Sequence, residues 1–132
     1  MKVFVSYRRS DTPDVSGRIY DELARHFGDP AVFKDVDDIP LGVNFAAFLN
    51  DVVQQSSVML IVIGSEWLDV TDERGRRRLD QPDDFVRIEV KAALEREIPI
   101  VPLLVQGAPM PRQNELPEAL ADAFRRSGTV HV

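Results

Sequence analysis

Charged and aromatic side chains follow the β-rich runs of this sequence. Tyr7, Arg8 and Arg9 come after the first run, a group of acids at 35–38 after the second, and Trp67 just after the third. In open α/β sheets, ligands bind beyond the carboxyl ends of the strands. These positions are therefore the first candidates for a binding site.

Phe85 and Glu89 are an aromatic and an acidic residue in the later half of the chain. They lie four residues apart in a helical pattern, so a ring and a carboxylate share one helix face and can line the same cleft. From the spacing alone, Glu89 is more simply interpreted as a solvated residue on the helix surface.

Several familiar chemistries are excluded. The chain has no cysteine, which rules out disulfides, thiol nucleophiles and Cys-ligated zinc. The glycine patterns that hold dinucleotides or triphosphates, and the G-x-S-x-G nucleophile elbow, do not occur. His26 and His131 are too scattered for a metal site, and no metal is expected. A response-regulator receiver would need an aspartate ending the third strand, but Ile63 is followed by Gly64 and Ser65.

Composition fits one ordinary globular domain. The 132 residues are 44% hydrophobic and 29% charged, with a formal net charge of −6. The acidic balance argues against nucleic acid or anionic lipid as partner, so the arginine-rich stretch 74–78 is expected to be a solvated loop. No apolar run reaches the roughly 20 residues that span a bilayer. A soluble, cytoplasmic domain is expected.

Strand and helix patterns alternate along the chain. Apolar β-rich runs predict strands over 2–7, 31–34, 58–63, 99–105 and 129–132, and amphipathic spacing predicts helices over 16–27, from Asn44 onward, 85–97 and 118–126. The residues at 12–14 are interpreted as breakers in the loop before the first helix, Ser16 as the N-cap of that helix, and Asp83 or Asp84 as the N-cap of the helix over 85–97. Such alternation predicts an α/β fold, a five-stranded parallel sheet with helices on both faces. The chain stops inside a strand pattern with no closing helix after it. Residues 1–132 are therefore expected to lack a final helix and to be the N-terminal part of a longer protein, or to be followed by a disordered tail.

Five sequence boxes, in this order, resemble those of bacterial Toll/interleukin-1 receptor (TIR) domains. The first strand box is FVSYRRSD at 4–11, the second strand with the BB loop is VFKDVDDIPLG at 32–42, and the later boxes are IGSEWL at 63–68, DDFVRIEV at 83–90 and IVPLLV at 100–105. The resemblance covers essentially the whole chain and implies the flavodoxin-like TIR fold.

Enzymatic TIR domains cleave NAD+ between nicotinamide and ribose and use one glutamate of the third helix. The resemblance assigns that catalytic role to Glu89, with Phe85 where many bacterial members carry the tryptophan of W-x-x-x-E. It implies nicotinamide plus ADP-ribose or cyclic ADP-ribose as products, with NAD+ as substrate and no cofactor. The substrate-binding side chains would be Phe85, Tyr7, Arg8, Arg9, Phe33 and Trp67.

The resemblance also implies partners. The BB loop, with Asp37, Asp38, Ile39, Pro40, Leu41 and Gly42, is the family's usual contact with a neighbouring TIR domain, and self-association activates the enzyme in bacterial defence signalling. A non-enzymatic TIR adaptor that only recruits other TIR domains is the main alternative. A related nucleoside or nucleotide glycosyl-transfer fold is a third possibility.

Overall fold

The structure is a computed structural model that describes residues 2–28, 32–33, 45–124 and 130–131. These residues form a parallel sheet of order β2-β1-β3-β4-β5. Three strands of four to six residues form its centre, and a two-residue pairing flanks it on each side. The strands are β1 (Val3–Ser6), β2 (Val32–Phe33), β3 (Val58–Ile63), β4 (Ile100–Leu104) and β5 (Val130–His131).

The order of the strands is that of flavodoxin-like folds, in which the chain direction across the sheet reverses between β1 and β3. The expectation of an α/β fold around a parallel sheet is thereby confirmed. The α-helices are α1 (Pro13–Phe27), α2 (Phe45–Gln55) and α3 (Phe85–Glu95), and short 3₁₀ helices cover Arg78–Asp80, Gln113–Glu115 and Glu118–Phe124.

Side chains of the central strands point alternately to the two faces of the sheet. On β3, Leu60 and Val62 pack on the face that α1 covers with Ile19 and Leu23. Met59, Ile61 and Ile63 pack on the opposite face, against the buried side of α3 and Val53 of α2. The unbroken apolar run of β3 therefore reflects a strand that is covered on both sides.

Helix α1 begins three residues earlier than its pattern predicts. The sequence pattern predicts a loop through Asp14 and Ser16 as the N-cap, whereas the helix starts at Pro13 with Thr12 as N-cap. Proline is well suited to the first helical position, because its fixed φ is helical and it has no N–H to leave unsatisfied. Ser16 is instead buried in the helix, with its Oγ 3.2 Å from Thr12 Oγ1.

Helix α3 begins where the sequence predicts and ends at Glu95, two residues early. Asp84, one of the two predicted caps, accepts a hydrogen bond from the Arg87 backbone N–H at 3.1 Å. The predicted fourth helix over 118–126 is a 3₁₀ segment in its described part. Within the described segments, the longest and most apolar helices still fall short of what crossing a membrane requires. The missing final helix and the longer parent protein stay predictions.

Candidate functional site

Helix α3 carries a carboxylate inside its apolar face. The side chains that this helix buries are Val86, Val90, Ala92, Ala93 and one acid, Glu89, which is 3% exposed. Residues 86, 89, 90 and 93 follow the i, i+3, i+4, i+7 spacing of a helix face packed on a core. Glu89 therefore occupies a position whose helical neighbours are all apolar.

The buried carboxylate meets the end of the first strand. The Ser6 hydroxyl donates a hydrogen bond to Glu89 Oε1 at 3.2 Å, and Ser6 itself is completely buried. Ser6 is the last residue of β1, which lies beside β3 at the point where the strand order reverses. In sheets of this kind, that crevice is where ligands bind.

A carboxylate in such surroundings has a clear chemical capability. Removing an ionised acid from water is costly unless hydrogen bonds or charges compensate, so buried carboxylates are normally hydrogen-bonded or paired. In an environment of low dielectric, the carboxylate stabilises a positive charge developing nearby far more strongly than it would in water. The geometry thus suits a reaction with a cationic transition state.

Phe85 lies one turn before Glu89, at the first position of α3, and is 49% exposed. Its ring lines an open groove of about 490 Å³, together with polar side chains of residues 72–84 that include Arg74, Arg78 and Gln81. The predicted pair is therefore placed on one helix, with the ring at the surface and the carboxylate inside.

The structure gives Arg8 internal partners. Its Nη1 and Nη2 donate to the two carboxylate oxygens of Asp84 at 2.9 and 3.0 Å, and its Nε donates to the Trp67 carbonyl at 3.2 Å. The side chains of Arg8 and Asp84 are 5% and 6% exposed. Every nitrogen of this guanidinium is thus engaged within the domain, away from any ligand at the surface.

Trp67 lies in the hydrophobic core. It is 0% exposed and packs in the cluster that includes Leu79, Val86 and Ile63. Of the other predicted binding residues, Tyr7 is half-buried against the α1 face of the sheet and Arg9 is exposed. Phe33 pairs with Phe4 in the sheet, but its side chain, like the whole BB loop at 37–42, lies outside the described residues.

The contacts of three residues in this region could not be predicted from the sequence. Ser6 and Glu89 are 83 residues apart, and Arg8 and Asp84 are 76 apart, so no local pattern links them. Asp11 also bridges two loops, since its carboxylate accepts from the backbone N–H groups of Gly64 and Glu66 at 2.9 Å each. The sequence pointed to only one of these residues, since it predicted Asp84 as a possible N-cap of α3. Among the described side chains, no group of three or more His, Asp or Glu is arranged to hold a metal ion.

A family model described as TIR domain matches residues 3–129. The chain belongs to the TIR domain family. The resemblance read from the sequence is thus confirmed. Among solved structures, this TIR domain is similar to the TIR domains in "Structure of the activated Roq1 resistosome directly recognizing the pathogen effector XopQ", with a TM-score of 0.59 and 17% identity over 95% of this chain and 69% of that one. No curated protein matches the chain.

Proposed function

We propose that this TIR domain cleaves NAD+ between nicotinamide and ribose, with Glu89 as the catalytic residue. The observation that carries the proposal is the carboxylate of Glu89, 3% exposed and hydrogen-bonded to Ser6 at the strand-order reversal. Membership of the TIR domain family supports it, because enzymatic members use a glutamate at this place on the third helix.

The reaction makes modest demands on the protein. The C1′–N bond breaks with its electron pair going to the pyridinium nitrogen, so neutral nicotinamide leaves without a general acid. Positive charge develops on the ribose as an oxocarbenium ion, as in glycoside hydrolysis. The Glu89 carboxylate stabilises that charge, and water then adds to C1′ and loses a proton to give ADP-ribose. Attack by an adenine nitrogen of the same molecule gives the cyclic isomer instead.

The side chains that we propose to bind NAD+ are chosen by their exposure to solvent. Phe85 offers a half-exposed ring beside the helix that carries Glu89, and Arg9 an exposed guanidinium after β1. Tyr7 and Phe33 belong to the set from the resemblance alone. Arg8 and Trp67 are left out because internal contacts bury both of them.

The proposal includes assembly. We infer that the domain associates with other copies through the BB loop, residues 37–42, and that this completes the cleft, in bacterial defence and in the cytoplasm. The solved TIR domains that it is similar to are those of an activated resistosome, which supports TIR–TIR assembly as the working state.

The test measures the rate at which the domain, crowded on beads, releases nicotinamide from NAD+. It compares the wild type with Glu89→Gln. Loss of the carboxylate's charge stabilisation is expected to reduce the rate by about 10²–10³-fold. Glu95→Gln is the matched control, because Glu95 lies on the same helix but is exposed; it should retain the wild-type rate. Equal rates for wild type and Glu89→Gln would contradict the proposal.

The adaptor function is the second candidate, and the same similarity to assembled TIR domains favours it. If the crowded wild type assembles but releases no nicotinamide, the domain is a docking module.

A further inference from the structure

Helix α3 is attached to the end of β1 at two buried points. One is the hydrogen bond from Ser6 to Glu89, and the other is the ion pair of Arg8 with Asp84. Asp84 and Glu89 are five residues apart, which is about 7.5 Å along a helix. Ser6 and Arg8 are two residues apart, which is about 6.6 Å along an extended chain. The two spacings are similar, so the start of α3 can meet β1 and the segment that follows it at both points.

The second point joins three parts of the domain. Arg8 binds both oxygens of Asp84 and also the carbonyl of Trp67, in the turn that follows β3. Asp84 in turn caps α3 by accepting from the Arg87 N–H. Because a bidentate arginine–carboxylate pair fixes both distance and orientation, it determines where α3 starts relative to β1.

We propose that Arg8 and Asp84 are a positioning pair that sets the Glu89 carboxylate at the end of β1. The inference rests on the proposed function and deepens it, since it turns Arg8 from a ligand contact into a residue that acts through Asp84 and α3. A rigid arrangement matters because misplacing a reacting group by about 1 Å can cost about 100-fold in rate.

The first experiment replaces one partner. Asp84→Asn keeps an oxygen that can cap α3 but removes the charge that Arg8 needs. We expect kcat for nicotinamide release to fall about 10- to 100-fold while KM changes less than about twofold. Asp80→Asn is the control, because Asp80 forms a similar bidentate pair with Arg77 in an exposed loop. It should change neither constant.

A second variant separates positioning from stability. Arg8→Met with Asp84→Asn removes both charges, and replacing a whole buried ion pair usually restores stability that a single replacement loses. We expect the melting temperature to return toward wild type while kcat stays low. Recovery of kcat together with the melting temperature would overturn the inference, since the pair would then be structural only.

A measurement without turnover distinguishes this inference from the proposed function. In the unliganded domain, the ¹³C signal of the Glu89 side-chain carboxyl reports its surroundings. We expect Asp84→Asn to shift that signal, and Asp80→Asn to leave it unchanged. An unchanged signal in Asp84→Asn would overturn the positioning pair even if the wild type cleaves NAD+. A shifted signal in a domain without turnover would support the pair and refute only the enzyme.

Discussion

At the scale of single residues, Gly64 shows how closely the loops pack over the sheet. It follows β3, and its N–H donates to Asp11 at 2.9 Å. A Cβ at this position would lie 2.4 Å from Thr12 Cγ2 and 2.7 Å from both carboxylate oxygens of Asp11. The loop that leads into α1 therefore reaches the end of β3 only because residue 64 has no side chain.

Gly64→Ala is expected to destabilise the domain by about 1–3 kcal/mol, because Thr12 and Asp11 must move. Urea denaturation measures the change. Gly17→Ala in α1 is the control, since a Cβ there meets no atom within 4 Å. Alanine is the better helix former by about 0.5–1 kcal/mol, so this variant should be more stable than wild type. Equal stabilities of the two variants would refute the close contact.

Phe85 is the residue whose substitution should affect binding more than folding. Phe85→Ala removes a ring that is 49% exposed, so we expect a loss of only about 1 kcal/mol in stability. If the ring lies against NAD+, the KM for NAD+ should be several-fold higher in Phe85→Ala than in the wild type. Phe85→Trp, with a larger ring, should have a KM equal to or lower than that of the wild type. An unchanged KM in Phe85→Ala would exclude contact between this ring and the substrate.

At the scale of elements, the loop between β3 and α3 is held by its own hydrogen bonds. Asp72 accepts from the backbone N–H groups of Arg74 and Arg76 at 2.9 Å and from Arg76 Nε at 2.8 Å. Gly75 turns the chain with a φ of 77°, and Arg77 pairs with Asp80. These hydrogen bonds, together with Trp67 and Leu79 in the hydrophobic core, order a long polar connection.

This loop should weaken in acid. The Arg76 backbone N–H holds the pKa of Asp72 below its ordinary 3.8, and the Arg77 side chain does the same for the pKa of Asp80. A group whose pKa is lowered in the folded state stabilises that state at pH values above the group's ordinary pKa. This contribution is lost as the pH falls through the lowered pKa. We expect the protection factors of the amides in the loop, which compare their exchange with the intrinsic rate at each pH, to fall below about pH 4.

A carboxyl titration by NMR checks the cause. Asp72 and Asp80 should each titrate at lower pH in the domain than in a peptide of residues 69–84. Identical midpoints in domain and peptide would contradict the hydrogen bonds.

The elements were largely predictable, whereas the site contacts were not. The run 58–63 predicts a buried strand because its composition and length are local properties, and the same holds for Asp84 as a cap. The start of α1 at Pro13 was missed because proline was read as a breaker, although the first turn of a helix accepts it. The contacts of Ser6 with Glu89 and of Arg8 with Asp84 depend on how β1 and α3 pack. Neither was predictable without the tertiary structure, and Arg8 was assigned to a ligand for that reason.

At the scale of the whole molecule, the loops beyond β1 and β3 and the start of α3 form one connected unit. Asp11 joins the first two, and Arg8 joins all three through Trp67 and Asp84. Glu89, the proposed catalytic residue, is thus placed by contacts within the domain, and any contribution of the proposed assembly must lie elsewhere in the cleft.

Turnover per domain should therefore rise with protein concentration. If a neighbour's BB loop completes the cleft, nicotinamide release per molecule should increase as copies associate, an effect of raised local concentration. Ile39→Glu, which adds a charge beside Asp37 and Asp38, should flatten that increase. Sedimentation velocity shows whether the variant associates less. A per-domain rate that does not depend on concentration would show that the single domain has a complete cleft.

The central strands restrict what such an assembly can look like. In the described part of the chain, β1, β3 and β4 each have a paired strand on both sides. A strand with two neighbours offers an incoming strand no free edge for backbone hydrogen bonds. Copies that associate would therefore meet around these three strands through the side chains of the helices and loops, and not by extending the sheet from them.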